Sequence, residues 1–172
     1  LNRVNVSGII KGGAIGGIKQ EGKFKIDSRF GKLGLIAKIL KLAEFRDKVK
    51  LFNLDVIDFI NSVLLCDDAV GKKDDLFVFL DPPYFRQGKT LYSEFYRAED
   101  HFYLASIIKN KLSDFHWILT YDNESFIFDL YQNFNPKRFS LQYSANAKIT
   151  ATELMFRSLK TKIETFDKIK LL

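Results

Sequence analysis

Four consecutive residues near the middle of the chain, Asp81-Pro82-Pro83-Tyr84, join an acid, two prolines and a phenol to the end of an apolar run, Leu76-Phe77-Val78-Phe79-Leu80. The run has the length and composition of a central strand buried on both faces. In open α/β sheets the carboxyl end of such a strand is where ligands bind. Each proline fixes φ, removes a backbone donor and drives the residue before it toward extended geometry. The corner is therefore stiff, and no helix uses up its carbonyls. A carboxylate and the Pro82 carbonyl held in this way could both accept hydrogen bonds from the exocyclic amino group of a nucleobase. That would localise a lone pair otherwise delocalised into the ring and ready it for an incoming methyl group. The Tyr84 ring would hold the base flat by stacking, worth roughly 1–3 kcal/mol per base. The plain alternative is a tight turn with Asp81 as its cap, since four-residue patterns also arise by chance.

The elements that must position this corner follow an α/β pattern. Leu33, Ile36, Ile39, Leu40 and Ala43 fall on one face of a predicted helix from Lys32 to about Lys48. Val49 to Asn53 reads as a strand, and Asp55 stands where it can cap a helix carrying Ile57, Ile60, Val63 and Leu64. After the corner, a loop from Phe85 to Arg97 interleaves rings and cations: Arg86, Lys89, Tyr92, Phe95 and Tyr96. A loop of that length is usually functional or mobile. It could grip an unstacked base and its phosphates, or pack its rings over the sheet edge. A helix is predicted from Glu99 to Lys111, then a strand from Phe115 to Thr120, where Thr120-Tyr121-Asp122-Asn123 brings a second polar cluster to a strand's carboxyl end. Asp122 or Asn123 is expected to cap a helix over 124–134. Two further strands, Arg138–Tyr143 and Thr152–Leu159, have no helix between them and should pair antiparallel at the sheet edge. The lysine-rich final dozen residues are expected to fray.

Length and composition fit one packed domain: 172 residues, 47% hydrophobic and 15% aromatic. No run approaches the roughly 20 apolar residues that span a bilayer, so no membrane partner is expected. Cys66 is the one cysteine, so no internal disulfide forms; it reads as a small core residue and permits a reducing, cytoplasmic setting. Charge is unevenly distributed. Residues 1–50 hold 12 lysines and arginines against 4 acids, and residues 51–172 hold 15 against 17. A positive segment beside a near-neutral remainder suits a polyanion, or is simply a solvated lysine-rich surface. Within it, Lys11-Gly12-Gly13-Ala14-Ile15-Gly16-Gly17 lacks the strand, helix and Lys-Ser/Thr ending of a phosphate-cradling loop. A flexible basic loop that follows a nucleic-acid backbone is the better reading, with a short hairpin over 15–27. His101 and His116 have no ligand neighbours at metal spacing and read as structural, so no metal is expected.

The order of motifs resembles Dam-type adenine-specific DNA methyltransferases of restriction–modification systems. The resemblance rests on Leu1-Asn2-Arg3 with Ser7-Gly8-Ile9, the Gly-Gly-x-x-Gly-Gly stretch, Phe24-Lys25-Ile26-Asp27 and Arg29-Phe30. It continues through Leu51–Asp55, Asp81–Tyr84, Gly88, Leu91-Tyr92 and Asp100-His101. Trp117-Ile118-Leu119-Thr120-Tyr121-Asp122, Tyr143-Ser144 and Glu153-Leu154-Met155 complete it, over residues 1 to about 159. The resemblance implies a Rossmann-like fold that transfers methyl from S-adenosylmethionine to the adenine amino group, by in-line displacement on a base swung out of duplex DNA. It assigns Asp81, Pro82, Pro83 and Tyr84 to catalysis. Asp55, Val56 and Asp81 are assigned to the cofactor, and Arg3, Lys11, Lys23, Lys25 and Arg29 to DNA, to which the reading of the Phe85–Arg97 loop adds Arg86 and Lys89. Double-stranded DNA and a cognate restriction endonuclease are the implied partners. The expected layout is a basic DNA-recognition segment over 1–48, the catalytic half over 49–160 and a tail over 161–172.

This sequence departs from the family at two points. The family's Phe-x-Gly-x-Gly motif and a Gly-Gly-Lys element lie upstream of its Asn-Arg segment, and neither is among these residues. Val6 stands where a further arginine is common. The chain is therefore expected to be the carboxyl-terminal part of a longer enzyme or a truncated product, fold incomplete at its N-terminus, with little activity alone. Alternatives are an amino-methyltransferase acting on cytosine in DNA or guanine in RNA, and a non-catalytic DNA-binding remnant.

Overall fold

A computed structural model describes residues 3–8, 12–66, 71–86, 96–134, 136–144, 148–165 and 171. The chain divides into two compact units, Leu1–Asn53 and Leu54–Leu172.

The first unit is built on turns. Asn5 bridges Ala14, with Val6 N donating to Gly13 O and Ile15 N to Val4 O. The glycine stretch is a fixed knot rather than the expected flexible loop. Gly16 has φ +88°, and a Cβ there would lie 2.7 Å from the Phe24 carbonyl oxygen, so only glycine fits without strain. The Gln20 side chain staples the knot, donating to Ile15 O at 2.9 Å and Gly17 O at 2.6 Å and accepting from Ile26 N at 2.8 Å. No hairpin forms over 15–27, because Gln20 takes the backbone groups that a second strand would need. Helix α1 spans Lys32–Ala43, shorter than its apolar period suggests, and a 3-10 turn follows at Arg46–Lys48. Val49 to Asn53 is exposed and forms no strand, having no ladder partner among the described residues. None of this unit's described residues is buried, and Leu33 and Leu51 are 82% and 94% exposed.

The second unit holds the core. Helix α2 (Val56–Phe59) runs on as a π turn, Ile60–Leu64. Its cap is the expected one, with Ile57 N donating to Asp55 Oδ1 at 2.8 Å. Cys66, expected inside, is exposed just past the end of this turn, where its Sγ meets Val63 O at 3.0 Å. Strand β1 (Phe77–Leu80), helix α3 (Ala98–Lys111) and strand β2 (His116–Asp122) form a parallel pair joined through a helix. Such a pair needs a crossover connection of this kind. The start of α3 is held by Asp100 Oδ2, which accepts from Arg97 N at 2.8 Å. Helix α4 (Ser125–Tyr131) follows, ahead of strands β3 (Lys137–Ser144) and β4 (Lys148–Arg157). The sheet order is β1-β2-β4-β3, with β4 antiparallel to both neighbours. The last two strands thus pair as expected, and β4 returns to the middle of the sheet. The protein is therefore mixed α/β, with a four-stranded open sheet and four α-helices among the described residues.

One apolar cluster unites Ile60, Leu80, Leu104, Ile108, Trp117, Leu119, Tyr121, Ile127, Tyr131, Leu154 and Phe156. Alternation along β2 sends Trp117, Leu119 and Tyr121 to this face, and burying side chains of this size contributes roughly 1.5–3 kcal/mol each. Contrary to the two-sided burial expected of β1, Phe77 and Phe79 are 57% and 60% exposed. They share the other face, and β1 is the outermost strand, so nothing among the described residues covers them. The tail is anchored, not frayed, where it is described: Thr161 is buried against Ser158, and Leu171 bridges Phe139.

Candidate active site

β1 ends at Leu80, opposite Leu119 in the parallel register, so the next residue leaves the sheet beside Thr120. Thr120 Oγ1 donates to Asp81 Oδ1 at 3.0 Å. Asp81 is exposed, and its second oxygen has no partner among the described residues. The corner is thus open to solvent while one half of its carboxylate is fixed. Pro82, Pro83 and Tyr84 are half-buried. The Tyr84 hydroxyl donates to Glu153 Oε2 at 2.8 Å, which ties the far end of the ring to β4. Its ring centroid lies 6.5 Å from that of Tyr121.

Past the prolines, Asp122 captures the chain. Phe85 N donates to Asp122 Oδ1 at 2.9 Å and Arg86 N to Oδ2 at 2.8 Å. Asp122, one of the two residues expected to cap α4, therefore holds the corner; Asn123, the other, does not cap it either, and the cap position falls to Glu124 with no side-chain bond. Asp122 and Glu153 stand directly opposite one another in the β2–β4 ladder, 5% and 4% exposed. Like charges so placed repel. The donated hydrogens of Tyr84, Phe85 and Arg86 offset that repulsion. A pocket of about 330 Å³ opens on these carboxylates, lined by Arg86, Asp122, Asn123, Glu124, Ala151, Thr152 and Glu153. It flanks the corner on the β4 side, and Asp81 does not line it.

Beneath the corner lies a buried aromatic box. His101 is 0% exposed, and its Nδ1 is 2.8 Å from the Tyr121 hydroxyl. The Phe85 and Tyr96 rings meet it edge-on, at 5.4 and 5.3 Å between centroids. Burial pushes the His101 imidazole below its ordinary value, against the weaker opposite pull of Asp122 and Asp100. Burial likewise raises the Tyr121 and Tyr131 phenols, and raises Tyr96 with help from Asp55 and Asp100. No known family model and no curated protein matches the chain.

The other residues singled out in the sequence are more scattered. Asp55 is exposed at the start of α2, and Val56 is half-buried against the core. Arg86 is exposed, its guanidinium 3.5 Å from Glu124 Oε1. In the first unit Arg3 is exposed, Lys23 sits over the Phe24 ring, and Lys25 and Arg29 donate to the carbonyls of Gln20 and Asn5. A carbonyl is neutral, so neither bond neutralises the side chain's positive charge. Lys11, Lys89, Gly88, Leu91, Tyr92 and Phe95 lie outside the described residues. Among the described residues no three His, Cys, Asp or Glu side chains are grouped to hold a metal, and no helix is long and apolar enough to cross a membrane. Sequence reasoning missed Asp122 and Glu153 as supports of the corner. The available signal was an acid at the end of one apolar strand run, Asp122, and an acid just ahead of another, Glu153 before Leu154-Met155-Phe156.

Proposed function

We propose that this chain carries the catalytic corner of a site-specific DNA adenine methyltransferase, with S-adenosylmethionine as methyl donor and a Rossmann-like fold in the second unit. The observation that supports it most is the pairing of an exposed Asp81, fixed through one oxygen by Thr120, with a Tyr84 ring anchored at its hydroxyl. The parallel β1–α3–β2 unit, with Asp81 at the carboxyl end of β1, supports the fold.

The chain's own residues divide the work. Asp81 Oδ2 accepts from the adenine amino group, while Thr120 keeps the carboxylate from turning away. The Pro82 carbonyl, left unused by any helix, accepts the second amino hydrogen. Tyr84 stacks on the flipped base, and its bond to Glu153 sets the plane of the ring. Asp55 retains Oδ2 without a partner among the described residues, beside half-buried Val56, so an acceptor and an apolar wall suit the adenosine part of the cofactor. S-adenosylmethionine supplies the electrophilic methyl group when bound. Arg3, Lys23, Lys25 and Arg29 contribute cations for phosphates in the first unit.

Incubation with plasmid DNA and labelled S-adenosylmethionine, followed by mass analysis of nucleosides, tests the reading. N6-methyladenine that disappears in Asp81→Ala is the expected result, in this chain or in a longer one that contains it. Methylcytosine, or methylation that persists in Asp81→Ala, refutes it.

A further inference from the structure

Between Asp81 and Tyr84 the corner has few means of fixing itself. Pro82 and Pro83 carry no N–H, so the first backbone donors after Asp81 belong to Tyr84, Phe85 and Arg86. Two of these three, on consecutive residues, converge on the two oxygens of one buried side chain, Asp122, at 2.9 and 2.8 Å. A carboxylate is the side chain that offers two acceptor oxygens and no donor in so short a reach. An amide in its place would turn an NH2 group toward one of the two N–H groups. The anchor itself is rigid, because Asp122 is the last residue of β2 and pairs with Glu153 of β4.

We propose that Asp122 is the positioning residue of the corner: it sets the path of the chain after Pro83 and thereby the direction in which Asp81 and Tyr84 face. It touches neither base nor methyl group. Its relevance to methyl transfer rests on the function proposed above, but its hold on the loop does not. Thr120 and Glu153 act on single side chains, whereas Asp122 acts on the backbone that carries them. The loop is thus held at its entry by β1 and at its exit by β2, with the prolines stiffening the span between.

Amide hydrogen exchange read by NMR on the full chain, without substrate, tests this. In wild type the Phe85 and Arg86 amides should exchange slowly. In Asp122→Ala both should speed up by at least about tenfold. Asp122→Asn, which keeps one acceptor oxygen, should retain protection at one of the two. The Leu119 and Phe156 amides, paired in the β2–β4 ladder, should keep their protection in both variants. Where turnover is measurable, Asp122→Ala should lower kcat at least about tenfold with KM for DNA within about twofold, the pattern of an interaction that matters in the transition state alone. Unchanged exchange at Phe85 and Arg86 in Asp122→Ala overturns the proposal. So does loss of the ladder protection in both variants, which would make Asp122 a support of the sheet. Absent turnover in a longer chain that contains these residues counts against the methyltransferase reading, while the exchange data still decide the role of Asp122.

Discussion

His101 makes the stability of the second unit depend on pH in a calculable way. It is fully buried, bonded through Nδ1 to Tyr121 and boxed by Phe85 and Tyr96, and burial holds its proton affinity below the ordinary value. In the unfolded chain the same imidazole titrates near pH 6.5. Above that pH both states are neutral and the full stability is present. As pH falls below 6.5 the unfolded state binds a proton that the folded state refuses, so stability drops until the lowered folded value is reached. Integrating the linkage from pH 7.5 to 5.5 gives a loss of at most about 1.4 kcal/mol. At a urea slope of about 2 kcal/mol/M this is a midpoint shift of about 0.7 M. Trp117, the one tryptophan and fully buried in β2, reports the transition by fluorescence. His101→Leu removes the titrating group and one hydrogen-bond partner of the Tyr121 hydroxyl. It should therefore lower stability at every pH while flattening the curve below 6.5. Other groups titrate alike in both proteins and cancel in the difference. Parallel curves for wild type and His101→Leu between pH 7.5 and 5.5 would refute the reasoning.

Three further outcomes follow from the geometry. Tyr84→Phe keeps the ring but withdraws the donor from buried Glu153, so it should cost about 1–3 kcal/mol in urea unfolding yet reduce methyl transfer less than Tyr84→Ala does. Gly16→Ala forces a side chain into positive φ and within 2.7 Å of a carbonyl oxygen, and should destabilise the glycine knot by more than about 1 kcal/mol, read as faster amide exchange at Gln20 and Gly22. Replacing Lys23 or Arg3 by glutamine should reduce the slope of log affinity for DNA against log salt by about 0.9 for each phosphate that the side chain no longer neutralises, and an unchanged slope would remove that residue from the interface.

The main elements of the second unit were legible from local pattern: an apolar period of Leu104, Ile107 and Ile108 for α3, and apolar runs of strand length for β1 and β2. Asp55 as a cap was legible for a local reason, since its acceptor lies two residues from the donor it serves. Asp122 was misread because the same residue type suits a helix cap and a strand end, and its true partners are 36 and 37 residues away. Glu153 was noticed only as part of a motif; its tie to Tyr84 spans 69 residues and depends on β4 returning between β2 and β3. Val49 to Asn53 looked like a strand by composition, but β propensity describes a side chain's fit to a pleated, half-buried surface, and these five residues are exposed. The glycine stretch looked flexible because composition does not encode the Gln20 staple.

The outermost position of β1 has a consequence for how the molecule behaves in crowded solution. A strand edge with no neighbour among the described residues of its unit, and with two exposed phenylalanines, invites foreign strands to zip onto it. This rim, however, is only four residues long and runs straight into Pro82 and Pro83. A visiting strand would find a few ladder positions and then two residues with no hydrogen to donate. The proline pair that follows β1 thus also acts as a stopper against fibre-like growth.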